Sequence, residues 1–487
     1  MNEAIIEVQS ETSCRISGLD ADTRRRLSKQ FSYEIPGARH MPAVRLGRWD
    51  GKVTFFSLAG QTYINLLPEI LPVLEEEKYT ISIDDQRAYN VNSFNFVEIT
   101  ENSYNHIMWP VGHSLAGQPI VLRDYQVTAI NGFFRNPQSL GKLPTGSGKT
   151  IITAALSHAC EAYGRTIVIV PNKTLVNQTE ADYIVLGLDV GVYFGDRKEQ
   201  NKTHTICTWQ SLNNMMKNTK SGEAEVTIDE FIEGVCCVIC DECHGVKADA
   251  LKTILTGPMG HVQLRWGMTG TIPKEEFEFR SLQIAFGEIV NSMQASDLQD
   301  AGVLANCHIH IKQLVDHVEF KEYQSELSYL LSNTDRLAQL AKMISDITKT
   351  GNTLVLVDRV AAGKALAALT EGTFISGATK EVDRKEQYDD VATSDNKALI
   401  ATYGVASTGI NVPKLHNVVL IEPGKSFVRV IQSIGRGLRL SSNKKEVNIW
   451  DITSTCKFAK RHLTKRKSYY TEAKYPFSVE KVNWKGS

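Results

Sequence analysis

The chain has 487 residues, 42% hydrophobic and 22% charged, with a formal net charge of −1. That is room for roughly two to four domains with cores of their own, and the composition excludes a disordered or fibrous chain. No apolar run approaches the length of a membrane span, the first residues lack the order of a secretory signal, and nine cysteines, several inside apolar runs, argue against a disulfide framework; a cytoplasmic location is expected.

In chain order, residues 1–90 mix short strand-like runs (Ala4–Val8, Lys52–Phe56, Thr62–Asn65) with one basic helical stretch, Asp20 to Gln30, which Asp20 or Asp22 can cap. A small α+β domain is expected there. From about residue 120 short apolar runs alternate with helical segments. Thr166–Val170, His204–Thr208, Cys236–Cys240 and Leu264–Thr269 read as buried parallel strands of a domain over 91–305. Thr353–Val357, Thr373–Ser376, Ala398–Thr402, Asn417–Glu422 and Val447–Ile452 form a second series, over 306–456. The break falls near 300–335, where Phe320–Leu331 reads as helical, and residues 457–487 read as a basic tail. Two such series imply two doubly wound parallel sheets, an α/β architecture.

Two segments carry the chemistry. Leu143-Pro-Thr-Gly-Ser-Gly-Lys-Thr150 places two glycines, a lysine and a hydroxyl at the start of a predicted helix. Backbone N–H groups of Thr145, Gly146, Ser147 and Gly148 can point at phosphate oxygens, Lys149 supplies a point charge for the β and γ phosphates, and the Thr150 hydroxyl suits Mg²⁺. Val238-Ile-Cys-Asp-Glu-Cys-His244 is an apolar strand ending in adjacent carboxylates. Asp241 suits the Mg²⁺ shell and Glu242 suits a base that orients water. An Asp-Glu pair alone is an ordinary loop end; following a phosphate loop in one α/β unit, it points to an ATP site. Cys237, Cys240 and Cys243, with His244 beside them, have the spacing of a metal site, but a strand sends the side chains of a three-residue step to opposite faces, so buried small hydrophobes are the better account.

Further segments fall at strand ends and helix starts: Leu122-Arg-Asp-Tyr-Gln126, Pro171-Asn-Lys-Thr-Leu175, Thr269-Gly-Thr271, Ala401 to Asn411, and Gln432-Ser-Ile-Gly-Arg-Gly-Leu-Arg439. As an ordered set over roughly 120–440 they resemble the superfamily 2 helicases of the DExH type. The stretch Arg45-Leu-Gly-Arg-Trp-Asp-Gly-Lys52 before them is similar to the phage UvsW helicases. The resemblance implies two RecA-like motor domains. Gln126 with Arg123 would read adenine, and Lys149, Thr150, Asp241 and Glu242 would form the ATP–Mg²⁺ site. His244 would link that site to the second sheet or to Gln432, and Thr269 and Thr271 would couple hydrolysis to movement. Arg436 and Arg439 would serve as arginine fingers. Three residues depart from the family pattern: Leu143 where a small residue is usual, Asn411 where an acid is common, and Ser433 where many relatives carry Arg.

The nucleic-acid partner is read from local charge. Between Arg24 and Lys52 there are eight Lys/Arg against two acids, and between Lys457 and Lys485 nine against two. Arg24, Arg25, Arg26, Arg48 and Lys52 are candidate phosphate contacts, with Trp49 as a stacking surface; the C-terminal run offers Lys460, Arg461, Lys465, Arg466 and Lys467 with Tyr469 and Tyr470. In the motor, Pro171, Asn172, Lys173, Thr208–Ser211, Ser407, Thr408 and Gly409 are expected to meet phosphates through amides, hydroxyls and helix N-termini, which carry no sequence information. The resemblance implies sequence-tolerant action on single-stranded or branched DNA (forks, D-loops, R-loops), with RNA–DNA hybrids as a further class, in phage recombination and repair within the host cytoplasm. An RNA helicase, a restriction-type translocase subunit and an ATP-gated binding module without unwinding are the rival readings.

Overall fold

A computed structural model describes residues 3–35, 37–109, 115–200, 202–245, 248–407, 414–426 and 446–484. Backbone contacts divide the chain into two compact units. The first holds residues 1–143 and 148–292, the second 144–147 and 293–487.

The first unit opens with β1 (Glu3–Val8) and β2 (Ser13–Ser17), then the basic helix Ala21–Gln30, β3 (Ser32–Glu34), β4 (Lys52–Thr54), β5 (Gln61–Tyr63), the helix Leu67–Glu76 and β6 (Thr80–Asp85). Asp20 caps the basic helix, its carboxylate accepting from the N–H groups of Asp22 and Thr23. Four strands make one sheet in the order β5-β2-β1-β6, and β3 and β4 form a separate antiparallel hairpin. This small domain shares its core with the rest of the unit. Built on Leu27, Phe31, Phe55, Phe56, Ile70 and Leu74, that core takes in Phe277 and Ile284 from the helix Glu276–Phe286. Arg280 on that helix pairs with Glu69, and Asn65 donates to Gln138 and to the Ile284 carbonyl.

The parallel sheet of the first unit comprises β7 (Gln138–Lys142), β8 (Arg165–Val170), β9 (Val190–Phe194), β10 (Arg197–Lys198), β11 (His204–Thr208), β12 (Val235–Cys240), β13 (Leu264–Thr269) and β14 (Ile289–Ser292). Their order is β10-β9-β11-β8-β12-β13-β7-β14, with only the β9–β10 pair antiparallel. Strand alternation splits the interior into two cores: Val168, Val170, Cys237 and Ile239 enter one, Ile167, Ile169, Val238 and Cys240 the other. β12, β13 and β7 are adjacent in that order, so the loops leaving their C-terminal ends lie side by side.

The second sheet comprises β15 (Asn306–Leu314), β16 (Thr353–Val357), β17 (Thr373–Ile375), β18 (Ala398–Thr402), β19 (Asn417–Ile421), β20 (Glu446–Ser454) and β21 (Phe477–Val482). Among the described residues all its pairings are parallel, in the order β17-β18-β16-β19-β20-β15-β21. The fold class is thus as expected, two RecA-like parallel sheets after a small α+β domain.

The expected basic tail is corrected. As far as residue 484 it is structured: the helix Lys457–Glu472 packs on β20, and β21 extends the second sheet. Arg466, Tyr469 and Tyr470 are buried rather than offered to a ligand. The Arg466 guanidinium forks onto both Asp451 oxygens at 2.8 and 2.9 Å and donates to the Gly424 carbonyl, and the Tyr470 hydroxyl donates to Asp451.

Candidate ATP site and nucleic-acid loops

β7 leads into Leu143, whose N–H donates to the Thr269 carbonyl and whose side chain is buried in the core. The bulk expected at the loop entry is therefore absorbed by packing. The chain then turns through Gly146 and Gly148, both left-handed (φ +89° and +78°), into the helix Lys149–Cys160. At Gly148 the need for glycine is double, since a Cβ there would lie 2.5 Å from the Gln126 Nε2, besides the backbone strain. Within the same loop Ser147 is buried, while Thr145 and Thr150 are half-buried.

Lys149 is itself buried, and its ammonium donates to the Leu143 carbonyl at 3.3 Å and pairs with Glu242 at 3.0 Å. Glu242 follows β12 and Asp241 in the left-handed region (φ 49°), a conformation that costs an L-residue on the order of 1–3 kcal/mol. The turn aims its carboxylate back at Lys149. Asp241 accepts from the Glu242 N–H at 2.8 Å. Burial pushes the Asp241 carboxyl up to about 6; Lys149 opposes that rise and Glu242 adds to it.

His244, buried in the 3-10 turn Cys243–Gly245, lies 3.5 Å from Glu242 and hydrogen-bonds Thr269 through Nδ1. Thr269 donates its hydroxyl to the Thr271 carbonyl at 2.8 Å, so Nδ1 carries the proton. Burial lowers the His244 pKa, Glu242 pulls against it, and the ring is neutral at pH 7. The Lys149–Glu242 ion pair and the hydrogen-bonded run His244–Thr269–Thr271 thus meet at a 3.5 Å contact between Glu242 and His244. Gln126 is buried at the start of the helix Asp124–Arg135. Its Oε1 accepts from the Arg123 N–H, and Arg123 itself is exposed and donates to the Tyr125 hydroxyl.

Cys237 packs into one core of the sheet and Cys240 and Cys243 into the other, so the three sulfurs do not share a site; burial raises all three thiols and keeps them protonated.

Beside the carboxylate strand, β8 and β11 end at two helix N-termini. Asn172 caps the helix Lys173–Val185 by accepting from the Leu175 N–H, and Thr208 caps the helix Trp209–Ser221 by accepting from the Ser211 N–H. Gln210 donates to the Pro171 carbonyl and ties the two loops together. Lys173 is exposed, its ammonium 5.9 Å from the Phe194 ring centre. Such paired N-termini are suited to backbone phosphates.

Of the other expected residues, Ser407 ends the helix Tyr403–Ser407. Thr408, Gly409, Asn411, Gln432, Ser433, Arg436 and Arg439 lie outside the described residues. Near the N-terminus, Arg24 folds back onto the Leu19 carbonyl, Arg25 pairs with Asp22, and Arg26 pairs with Glu76 and Glu77. The charges of Arg25 and Arg26 are thus answered by carboxylates within the domain, while the Arg24 guanidinium is held by a carbonyl. Arg48 and Lys52 are exposed, without a carboxylate partner among the described residues.

Sequence reasoning missed Arg336 and Arg466 as buried organisers. Arg466 stands in the stripe Ala459, Leu463, Arg466, Tyr470, whose helical spacing was the available signal.

This geometry agrees with what the chain matches. Residues 119–274 fit the family described as type III restriction enzyme, res subunit, and residues 335–441 the helicase conserved C-terminal domain. The chain is a superfamily 2 helicase, an ATP-hydrolysing enzyme. Within that superfamily it resembles UvsW: it is 25% identical to the ATP-dependent DNA helicase uvsW of enterobacteria phage T4 over 476 residues, 92% of this chain and 90% of that one. It is 22% identical to the DNA 3'-5' helicase XPB of Kineococcus radiotolerans over 379 residues, 75% of this chain and 65% of that one. Among solved structures, the type ISP restriction-modification enzyme LlaBIII bound to DNA shares the fold at a TM-score of 0.56 and 13% identity, over 85% of this chain and 34% of that one. No described helix is long and apolar enough to cross a membrane.

Proposed function

We propose that this enzyme is a DNA helicase or translocase acting on branched DNA, namely forks, D-loops and R-loops, with unwinding and branch migration in phage recombination and repair inside the host cell. One observation carries the reading: the buried cluster of Lys149, Glu242, His244 and Thr269 lies in the sheet whose neighbouring strands end in the capped helix N-termini at Asn172 and Thr208. DNA, rather than nucleic acid in general, is supported by the two relatives named for it.

In this mechanism Gln126 and Arg123 hold the adenine, and Lys149 leaves Glu242 for the β and γ phosphates. Glu242, freed, orients the attacking water, while neutral His244 and Thr269 relay that change towards Thr271 and Gln432. The hard oxygen donors Asp241 and Thr150 fit Mg²⁺, and a carboxyl whose pKa burial has raised is one that a dication would return to its charged form. Bound Mg²⁺ supplies neutralisation of phosphate charge. Arg436 and Arg439 act as the fingers that meet the transferring phosphoryl group, a contribution on the order of 10³–10⁵ in rate. Pro171–Lys173, Thr208–Ser211 and Ser407–Gly409 hold the strand by its phosphates and make the motor sequence-tolerant.

The test is ATP hydrolysis measured against single-stranded, duplex, forked and hybrid nucleic acids. Forked DNA is expected to stimulate most. Stimulation by single-stranded RNA above that by any DNA would overturn the reading in favour of an RNA helicase.

A further inference from the structure

Between β3 and β4 the chain makes an excursion that lies outside the two parallel sheets. The base is closed by the Ile35 N–H donating to the Gly51 carbonyl at 2.9 Å. Gly51 (φ +81°) must be glycine, because a Cβ there would lie 3.0 Å from the buried Ala38 methyl. A 3-10 turn, Ala38–His40, leads into the short helix Pro42–Arg45, and the chain returns through Leu46 and Arg48, whose N–H groups donate to the Pro42 and Ala43 carbonyls. The Trp49 indole donates to the Lys52 carbonyl at 2.9 Å, and Asp50 accepts from the Lys52 N–H. The flanking Tyr33 and Phe55 are in the domain core. This is a hydrogen-bonded projection on a packed base.

Its outer surface combines two properties that rarely sit together. Leu46 is 64% exposed and Met41 40% exposed. On the same excursion Arg39, Arg48 and Lys52 are exposed and Arg45 is exposed as well. Of these only Arg39 has a carboxylate partner among the described residues, Glu34. The contrast with the helix Ala21–Gln30 is sharp, since there each of the three arginines is engaged internally. An exposed leucine alone means little. An exposed leucine with exposed arginines one residue before it and two residues after it, neither paired with a carboxylate among the described residues, fits a polyanion with an apolar interior, which is the description of stacked nucleic-acid bases. Apolar side chains inserted between base steps unstack a duplex, and nearby cations hold the phosphates while they do so.

We propose that residues 38–52 form a strand-separating wedge. Arg45, Arg48 and Lys52 hold phosphates at a DNA branch point, and Leu46, backed by Met41, lies against the terminal base pair and keeps it open. The proposal rests on the DNA-helicase reading above and adds to it the place where the strands part.

The experiment uses the full chain as wild type, Leu46→Ser, Arg45→Ala/Arg48→Ala, and Leu58→Ser, a control at a leucine of similar exposure outside the projection. A fork carrying 2-aminopurine in the base pair at the branch reports opening without nucleotide, and strand displacement per ATP hydrolysed reports coupling. Wild type and Leu58→Ser should raise the fluorescence on binding, whereas Leu46→Ser should not. Leu46→Ser should also displace about tenfold less strand per ATP, since the unstacking it assisted is now uncompensated. Arg45→Ala/Arg48→Ala should flatten the log–log salt dependence of fork binding by about two units. Equal opening and coupling by Leu46→Ser, or an unchanged salt slope in the arginine variant, would overturn the wedge while wild-type unwinding stands. A wild type that neither hydrolyses ATP on DNA nor displaces a strand would instead overturn the reading beneath it, and the wedge with it.

Discussion

Two glutamates end strands of the two sheets in the same strained way. Glu242 follows β12 and Asp241 with φ 49°, and Glu422 follows β19 with φ 43°. Both face a buried cation, yet their surroundings differ in kind. Arg336, against Glu422, is engaged at all three nitrogens: it donates to Glu422 at 2.7 Å, to Asp316 at 3.3 Å and to the Leu330 carbonyl, while Thr453 and Ser454 donate to the two carboxylates. Lys149, against Glu242, is a point charge on a flexible stem at the mouth of a glycine loop, and beside it stands Asp241 with its carboxyl held up by burial. Backbone strain and buried charge are common to both. What separates the framework cluster from the candidate site is the cation itself: a planar guanidinium held at three nitrogens in one, a single ammonium on a flexible stem beside a glycine loop in the other.

The comparison is broken first by exchanging the cations for alanine. Lys149→Ala should reduce ATP turnover by roughly 10²–10³ or more while the protein stays folded. Arg336→Ala should cost about 3–5 kcal/mol in urea unfolding, because it leaves two carboxylates buried without their cation. A Lys149→Ala protein as unstable as Arg336→Ala would erase the distinction.

A smaller effect sharpens it. Asp241 titrates at about 6 when folded against an ordinary 3.8, burial being the main cause. The folded state therefore holds that proton more tightly than the unfolded chain does. The associated stability is present below 3.8, falls as pH rises through the window up to about 6, and is gone above it. Without nucleotide, Asp241→Asn should be more stable than wild type by about 1–3 kcal/mol at about pH 7.5, with a smaller gain at about pH 5. A gain independent of pH would mean that Asp241 does not carry the cost. The smallest effect concerns a charge already answered on the surface: Arg26→Ala should barely change the salt dependence of fork binding, since Glu76 and Glu77 hold that guanidinium.

The central strands were legible because they are buried on both faces and read as unbroken apolar runs, as in Thr166–Val170 and Cys236–Cys240. Strand β15 was not, because it is half-exposed: His308, His310 and Lys312 alternate with Cys307, Ile309 and Ile311, and the stretch looked like a mixed-polarity linker. The ATP site was legible because its chemistry is local, in two short segments. Arg466 was illegible in its role, since a basic run gives no sign of which arginine turns inward until the helical stripe is followed. The same blindness pooled Arg25 and Arg26, which pair with carboxylates of their own domain, with Arg48 and Lys52, which pair with none among the described residues.

The account stands or falls on the function of Glu242, and the direct measurement compares wild type with Glu242→Gln in ATP binding, ATP hydrolysis and forked-DNA strand displacement. The expected result is retained ATP binding with hydrolysis and displacement lost together. Displacement that persists without hydrolysis, or hydrolysis that persists in the variant, would contradict it.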